Sequence, residues 1–316
     1  MKKKYTRVLI GMLSSLMLTL FSCSSDDSDR ESLPLTADIF HSVKGKKVAF
    51  QGLTNSAVSW MWDFGDGNTS TDKNPVHTYA SGGYYSATLT ATGADGSTVN
   101  KEIRLAVDLT PYILLTGGPT AENGKTWKLA SSHSDSDYFA NADATLSPFP
   151  GAPKPLPAGI MGAGLGLGEV YEDEYTFHFD GSYGHDVKAD GAAFSGLVYQ
   201  FVTTGGAGIV NPSSNQSFGL CTGAYTPDET ATFTYVEKED FTVSSVYGPE
   251  GTITFNGVST LDFSGTEFLG FMDFQRKVIV QEIKDTSMRV VMFMAASTDA
   301  IGVNTHALVL TFEVVN

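Results

Sequence analysis

Tight-turn dipeptides punctuate this chain, and no other feature constrains its fold as much. Asp66-Gly67, Asp95-Gly96, Asn123-Gly124, Asp180-Gly181, Asp190-Gly191 and Asn256-Gly257 lie between runs of alternating polarity. Such pairs tolerate positive φ and suit two-residue hairpins. The clearest runs are Val48 to Gln51, Tyr85 to Thr92, Tyr175 to Phe179, Thr252 to Phe255, Lys277 to Ile283, Arg289 to Met294 and Ala307 to Val315. After residue 30 no stretch keeps an apolar period of 3.6 over three turns. The pattern predicts an all-β chain of antiparallel strands.

The N-terminus reads as a secretory leader. Met1-Lys2-Lys3-Lys4-Tyr5-Thr6-Arg7 is basic, and Val8 to Phe21 is apolar. That run of 14 residues is short for a transmembrane helix, which needs about 20. Leu20-Phe21-Ser22-Cys23 resembles the lipobox of bacterial lipoproteins. The resemblance implies a signal peptide over residues 1–22 and lipidation of Cys23. Ser24-Ser25-Asp26-Asp27-Ser28-Asp29 resembles the acidic export signal of Bacteroidetes lipoproteins. That likeness implies surface exposure at the outer membrane, held by lipid. Residues 23–35 are then an acidic flexible tether, because serine and aspartate bury nothing that offsets the entropy of ordering.

Charge narrows the partners. Without the leader's Lys2, Lys3, Lys4 and Arg7, sixteen basic residues face 35 acidic ones, a net charge near −19. Such a surface repels nucleic acid and anionic membrane. With Cys23 lipidated, Cys221 has no internal disulfide partner, and its surroundings show no nucleophile motif. It reads as a small buried apolar residue.

Residues 36–108 carry a specific set of motifs. Trp60-Met61-Trp62-Asp63-Phe64-Gly65-Asp66-Gly67 is followed by Asn74-Pro75-Val76-His77-Thr78-Tyr79, by Gly83-Tyr84-Tyr85-Ser86-Ala87-Thr88-Leu89-Thr90 and by Asp95-Gly96. The set resembles the PKD domain, a small immunoglobulin-like sandwich. Alternation agrees: Trp62 and Phe64 share one face, as do Tyr85, Ala87 and Leu89. The resemblance gives His77 a hydrogen bond within the domain. Asp63-Phe64-Gly65 copies the kinase magnesium triplet without the other kinase motifs. Asp63, Asp66 and Asn68 have the hard oxygens calcium prefers, but no closing glutamate follows, and turn formation explains them.

Pro111, Gly117-Gly118 and Pro119 predict an irregular connector over 109–120. A second unit covers residues 116–316. Leu115-Thr116-Gly117-Gly118, Gly124-Lys125-Thr126-Trp127-Lys128-Leu129, Tyr171-Glu172-Asp173-Glu174-Tyr175-Thr176-Phe177 with Asp180-Gly181-Ser182-Tyr183, and Phe268-Leu269-Gly270-Phe271 resemble C-terminal domains that follow PKD domains in Bacteroidetes surface lipoproteins. Those proteins serve glycan uptake. The blocks are also similar to bacterial lipocalin-like domains, so an antiparallel β-sandwich and a barrel both stay open. Trp127, inside a strand block, belongs to the core. Two long loops interrupt the unit, from about Ser131 to Glu169 and from about Thr203 to Pro227. Loops of that length are functional or disordered.

Chemistry is sparse. Glu169-Val170-Tyr171-Glu172-Asp173-Glu174 is the one dense acidic cluster beside a strand and is similar to the Glu-x-Asp-x-x-Glu signature of laminarinase-type jelly rolls. Strand alternation puts Glu172 and Glu174 on one face, as a hydrolase pair requires. The signature's tryptophan is missing, and a solvent-facing strand start explains the cluster as well. Gly162 to Gly168 has no following helix to cradle a phosphate and reads as a loop or a close backbone approach. His178 and His185 flank the Asp180-Gly181 turn and decorate a polar hairpin face. Sugar binding asks for aromatic faces beside hydrogen-bonding groups. The first long loop supplies both, and His133, Asp135, Asp137, Tyr138, Phe139 and Phe149 are its candidate ligand contacts.

The resemblance implies a non-catalytic surface lipoprotein that binds a polysaccharide for an outer-membrane glycan transporter, with the PKD unit as spacer and without a cofactor. A glycoside hydrolase using Glu172 and Glu174, and a structural or adhesive surface protein, are the alternatives.

Overall fold

A computed structural model describes residues 33–315. The leader, Cys23 and most of the acidic tether lie outside the described residues. Among those described, no helix is long and apolar enough to cross a membrane.

The N-terminal unit has strands β1 (Thr36–Lys44), β2 (Lys47–Asn55), β3 (Ala57–Asp63), β4 (Thr69–Ser70), β5 (Val76–Thr78), β6 (Gly83–Gly93) and β7 (Thr98–Val107). They form two antiparallel sheets, β1-β2-β5 and β4-β3-β6-β7. Alternation sets the layers. Val48 and Phe50 from one sheet meet Trp62, Phe64, Tyr85, Ala87 and Leu89. The Phe50 ring lies 5.1 Å from Trp62 and 5.3 Å from Phe64. His77 stacks on Phe64 at 4.2 Å, and its Nε2 lies 2.7 Å from Asp66 Oδ2. Tyr79 donates its hydroxyl to the Phe64 carbonyl at 3.0 Å. Asp63 Oδ1 accepts from the Gly65 amide and Asp66 Oδ1 from the Asn68 amide, so both carboxylates shape the turn.

The connector holds a helix that the sequence reading did not expect, α1 (Pro111–Thr116). Proline stands in its first turn, where its missing N–H costs no helical hydrogen bond. Thr110 caps the start by accepting from the Ile113 amide, and Gly117 ends the helix at φ 81°.

The larger unit contains β8 (Lys125–Leu129), β9 (Tyr138–Asn141), β10 (Glu174–Phe177), β11 (Tyr183–Asp186), β12 (Ala192–Gly196), α2 (Leu197–Thr204), β13 (Ile209–Pro212), β14 (Leu220–Ala224), β15 (Phe233–Ser244), β16 (Thr252–Phe263), β17 (Val278–Ile283), β18 (Ser287–Met294) and β19 (His306–Val314). Its main sheet runs β11-β10-β8-β19-β18-β17-β16-β15, with β9 also paired to β19. The two edge strands meet at one end, where Ser182 bridges Thr232 and the Phe233 amide donates to Gly181 O at 3.0 Å. The sheet is therefore a half-barrel, closed at that end. A small sheet β12-β14-β13 covers part of it.

Central strands are buried on both faces. Met288, Val290 and Met292 of β18 and Leu308, Leu310 and Phe312 of β19 point into the barrel core. Val291 and Phe293 of β18 and Ala307 and Val309 of β19 face a second core with Ala140, Phe241 and Ile279. The continuous apolar runs reflect this double burial.

The long loops are corrected by the structure. Residues 131–169 hold β9 and a lid whose Leu156, Met161, Leu165 and Leu167 are at most 3% exposed. Each such side chain contributes about 1.5–3 kcal/mol by leaving water. The segment after Thr203 contains β13 and β14 rather than an irregular loop. The glycine run forms a π-helical turn, Ile160–Gly164, where Gly162 packs against the Gly168 backbone. Asn256-Gly257 is not a hairpin turn either. Gly257, at φ 64°, sits inside β16, and its amide donates to Asp240 Oδ1 at 2.9 Å beside shifts in register with β15.

Candidate binding cleft at the domain junction

The residues named for binding in the first long loop are mostly structural. Asp137 is fully buried. Its Oδ2 accepts from the Thr311 amide at 3.0 Å and lies 3.1 Å from His133 Nδ1. Its Oδ1 accepts from the Thr311 hydroxyl at 2.6 Å and from Ser134. Burial acts to raise its pKa, but the hydrogen bonds from His133, Ser134 and Thr311 outweigh that and hold it below the ordinary carboxylate range. His133 Nε2 lies 2.9 Å from the Tyr171 hydroxyl, and its side chain is wholly buried. Phe139 packs on Phe218. Tyr138 donates to Leu146 O, and Lys154 Nζ covers its ring at 3.7 Å. Phe149 contacts His306 at a crevice of about 20 Å³, room for one water and not for a sugar. Asp135 alone of the six is exposed.

The acidic cluster is also rearranged. Strand β10 begins at Glu174, and Glu172 ends a 3-10 turn, so the two do not share a strand face. Glu174 pairs with Lys188 at 2.9 Å. Asp173 points inward, and its Oδ2 is buried without a hydrogen-bond partner. Burial first, then the charges of Asp190 and Asp186, push its pKa up to about 8. The folded state thus holds this proton more tightly than the unfolded chain, so stability falls as pH rises from the ordinary value of 3.8 toward about 8. Asp173→Asn is expected to raise the melting temperature near the top of that window and to flatten the decline. Thermal scans across the range check it; an unchanged pH slope contradicts the assignment.

His185 is no surface decoration. Its side chain is buried, with Nδ1 3.1 Å from Glu267 Oε2 and the ring packed against Tyr175 and Phe268. Cys221 is buried too, and burial pushes its thiol up to about 12.

A site that the sequence reading missed lies between the two units. It is an open cleft of about 680 Å³. Tyr84, Ser86 and Arg104 form one wall; they are neighbours on the outer face of β6 and β7, where Ser86 is register partner to Arg104. Asn123, Lys125 and Thr126, before and within β8, and Asp285 and Thr286, from the β17–β18 turn, form the other. The signal was present in Gly83-Tyr84-Tyr85: with Tyr85 inward, Tyr84 has to face out.

Contacts across the junction hold the walls in place. Tyr84 donates its hydroxyl to Asp285, and Thr120 donates to Tyr84 O at 2.6 Å. Lys125 Nζ donates to Leu114 O at 2.7 Å and Asp285 O at 2.6 Å. Burial lowers the Lys125 pKa, and the Asp285 charge opposes that only in part. Gly118, at φ 82°, lets the connector pass beside Gly83, whose Cα a side chain would meet at 3.2 Å. The cleft offers an aromatic ring, a guanidinium, hydroxyls and an amide within one groove.

Comparison with known proteins assigns the first wall. Residues 41–107 match the family model of the PKD domain. This segment is a PKD domain. It is similar to a microbial collagenase of Vibrio alginolyticus, 54% identical over 41 residues, which are 13% of this chain and 5% of that protein. The chain thus spans a small fraction of that relative's length. The crystal structure of the PKD1 domain from the Vibrio cholerae metalloprotease PrtV is 33% identical and covers 24% of this chain and all of that domain, with a TM-score of 0.24. A solved structure of carbohydrate-binding modules from the β-sandwich superfamily spans 90% of this chain and 94% of its own at 12% identity, with a TM-score of 0.25.

Proposed function

We propose that this protein is a lipid-anchored cell-surface binder that captures a polysaccharide without cutting it and passes it to an outer-membrane glycan transporter. The observation that carries the reading is the cleft between the PKD domain and the half-barrel. Its volume of about 680 Å³ suits a short stretch of sugar chain. Its Tyr84 ring can take the C–H face of a sugar, and Ser86, Asn123, Thr126 and Thr286 can exchange hydrogen bonds with hydroxyls. The lipobox-like Leu20-Phe21-Ser22-Cys23 and the acidic run after it support anchoring and display. On this reading the PKD domain is both spacer and one wall of the site.

Retention of the purified protein on a panel of immobilised polysaccharides tests the proposal. At least one polymer is expected to hold it, with no new reducing ends after long incubation. Absence of retention across the panel at high protein concentration overturns glycan binding. Release of reducing ends transfers the protein to the hydrolases.

A further inference from the structure

We infer that the cleft selects an acidic sugar, with Arg104 as the residue that reads its carboxylate. The inference rests on the reading of the cleft as a glycan site and adds the class of glycan.

The chain has 35 acidic residues against 20 basic ones. In such an excess a guanidinium easily finds a carboxylate, and at physiological salt the repulsion of a polyanion by distant surface charges is screened beyond about 8 Å, so the charge that lines the cleft decides. Among the described residues there are three arginines, and two have side-chain partners. Arg289 pairs with Glu282 and donates to Gln281, and Arg276 donates to the Tyr199 hydroxyl. Arg104 has no carboxylate within 4.0 Å and no side-chain hydrogen bond among the described residues. It lies instead over the Tyr84 ring, 5.0 Å from its centroid, in the cleft wall.

That placement has a chemical consequence. A guanidinium presents donors in a rigid planar fork that matches a carboxylate through two parallel hydrogen bonds. Stacking on Tyr84 restricts the fork before a ligand arrives, which lowers the ordering cost of binding. The other charges of the cleft are already engaged: Lys125 Nζ lies 3.6 Å from Asp285 Oδ1, and Asp285 also accepts from Tyr84. Arg104 is therefore the uncompensated charge facing the groove. A uronic acid fits it, with the carboxylate on the fork and the hydroxyls toward Ser86 and the opposite wall.

The test uses the full protein on immobilised uronate polymers, the same polymers after chemical reduction of their carboxyls, and a sulfated polysaccharide. Wild type is expected to bind a uronate polymer about tenfold more tightly than its reduced form. Arg104→Gln is expected to remove that difference, and Arg104→Lys to restore part of it. A sulfated polymer bound as tightly as the uronate overturns carboxylate selection in favour of a general anion site. Equal binding of native and reduced polymers, unaffected by Arg104→Gln, overturns the inference while leaving glycan binding intact. Failure to bind any polymer, neutral ones included, overturns the underlying reading as well. Arg104 is exposed, so melting curves of both variants matching wild type show that the fold is unaltered.

Discussion

Asp137→Ala is expected to destabilise the half-barrel by about 3–5 kcal/mol, because it breaks a buried charged network by removing one partner. Asp137 is the hub of that network: His133, Ser134 and the amide and hydroxyl of Thr311 converge on its carboxylate. Alanine leaves the Thr311 amide without its acceptor, leaves the Thr311 hydroxyl only Ser134 Oγ, and frees His133 to lose its orientation toward Tyr171. The lid carrying Leu156, Met161 and Leu165 keeps its apolar contacts and its hydrogen bonds to Tyr171 and Ser214 but loses the buried network beside it. Asp137→Asn keeps the shape and part of the hydrogen bonding and is expected to cost less than alanine. The sign of the pH effect follows from the depressed pKa. The stabilisation is present in full above the ordinary carboxylate pKa and is lost as pH falls through the lower folded-state value. Thermal unfolding of wild type and both variants at neutral and acid pH checks this. The PKD transition should not move, since none of these groups touches it; equal melting of all three proteins contradicts the role of Asp137.

Tyr84→Ala is expected to weaken polysaccharide retention by about 2 kcal/mol, roughly thirtyfold, the loss typical of a central aromatic contact. Two effects combine. The ring that faces the sugar and supports Arg104 disappears, and so does the hydroxyl that ties the PKD wall to Asp285. Tyr84→Phe separates them, because it keeps the ring and removes only the tie. A loss confined to alanine assigns the effect to the ring. An equal loss in phenylalanine assigns it to the geometry of the junction. Full retention in both variants places the binding site elsewhere. Titration against the polymer found in the panel experiment measures the effect.

How far the sequence reading reached depends on the range of the interaction. Local alternation predicted that Trp62, Phe64, Tyr85, Ala87 and Leu89 would point inward, and all five are buried. The tight-turn glycines at 67, 96, 124, 181 and 191 all have positive φ, as dipeptide chemistry requires; Gly257 shares the positive φ but lies within β16. The buried state of Trp127 and Cys221 was legible for the same reason. The candidate loop was not. Asp135, Tyr138 and Phe149 look like a sugar platform when read as a stretch, but whether a ring faces a ligand or a lid depends on strands far away in sequence. Asp137 illustrates this: its partner Thr311 lies 174 residues further along the chain. The short helices escaped because six and eight residues are too few to establish a period.

What the amino-acid order determined by itself is the all-β character, the inward-facing residues of the PKD sandwich and the points where the backbone turns, because each follows from period-two alternation and from φ preferences within a few residues. What only the tertiary structure decided is the meeting of β11 and β15 that curls the large sheet, the burial of the supposed binding loop beneath it, and the cleft that brings Tyr84 and Arg104 opposite Lys125 and Asp285. Those features arise from packing between segments about fifty to two hundred residues apart, and a local pattern carries no record of which distant surface will cover it.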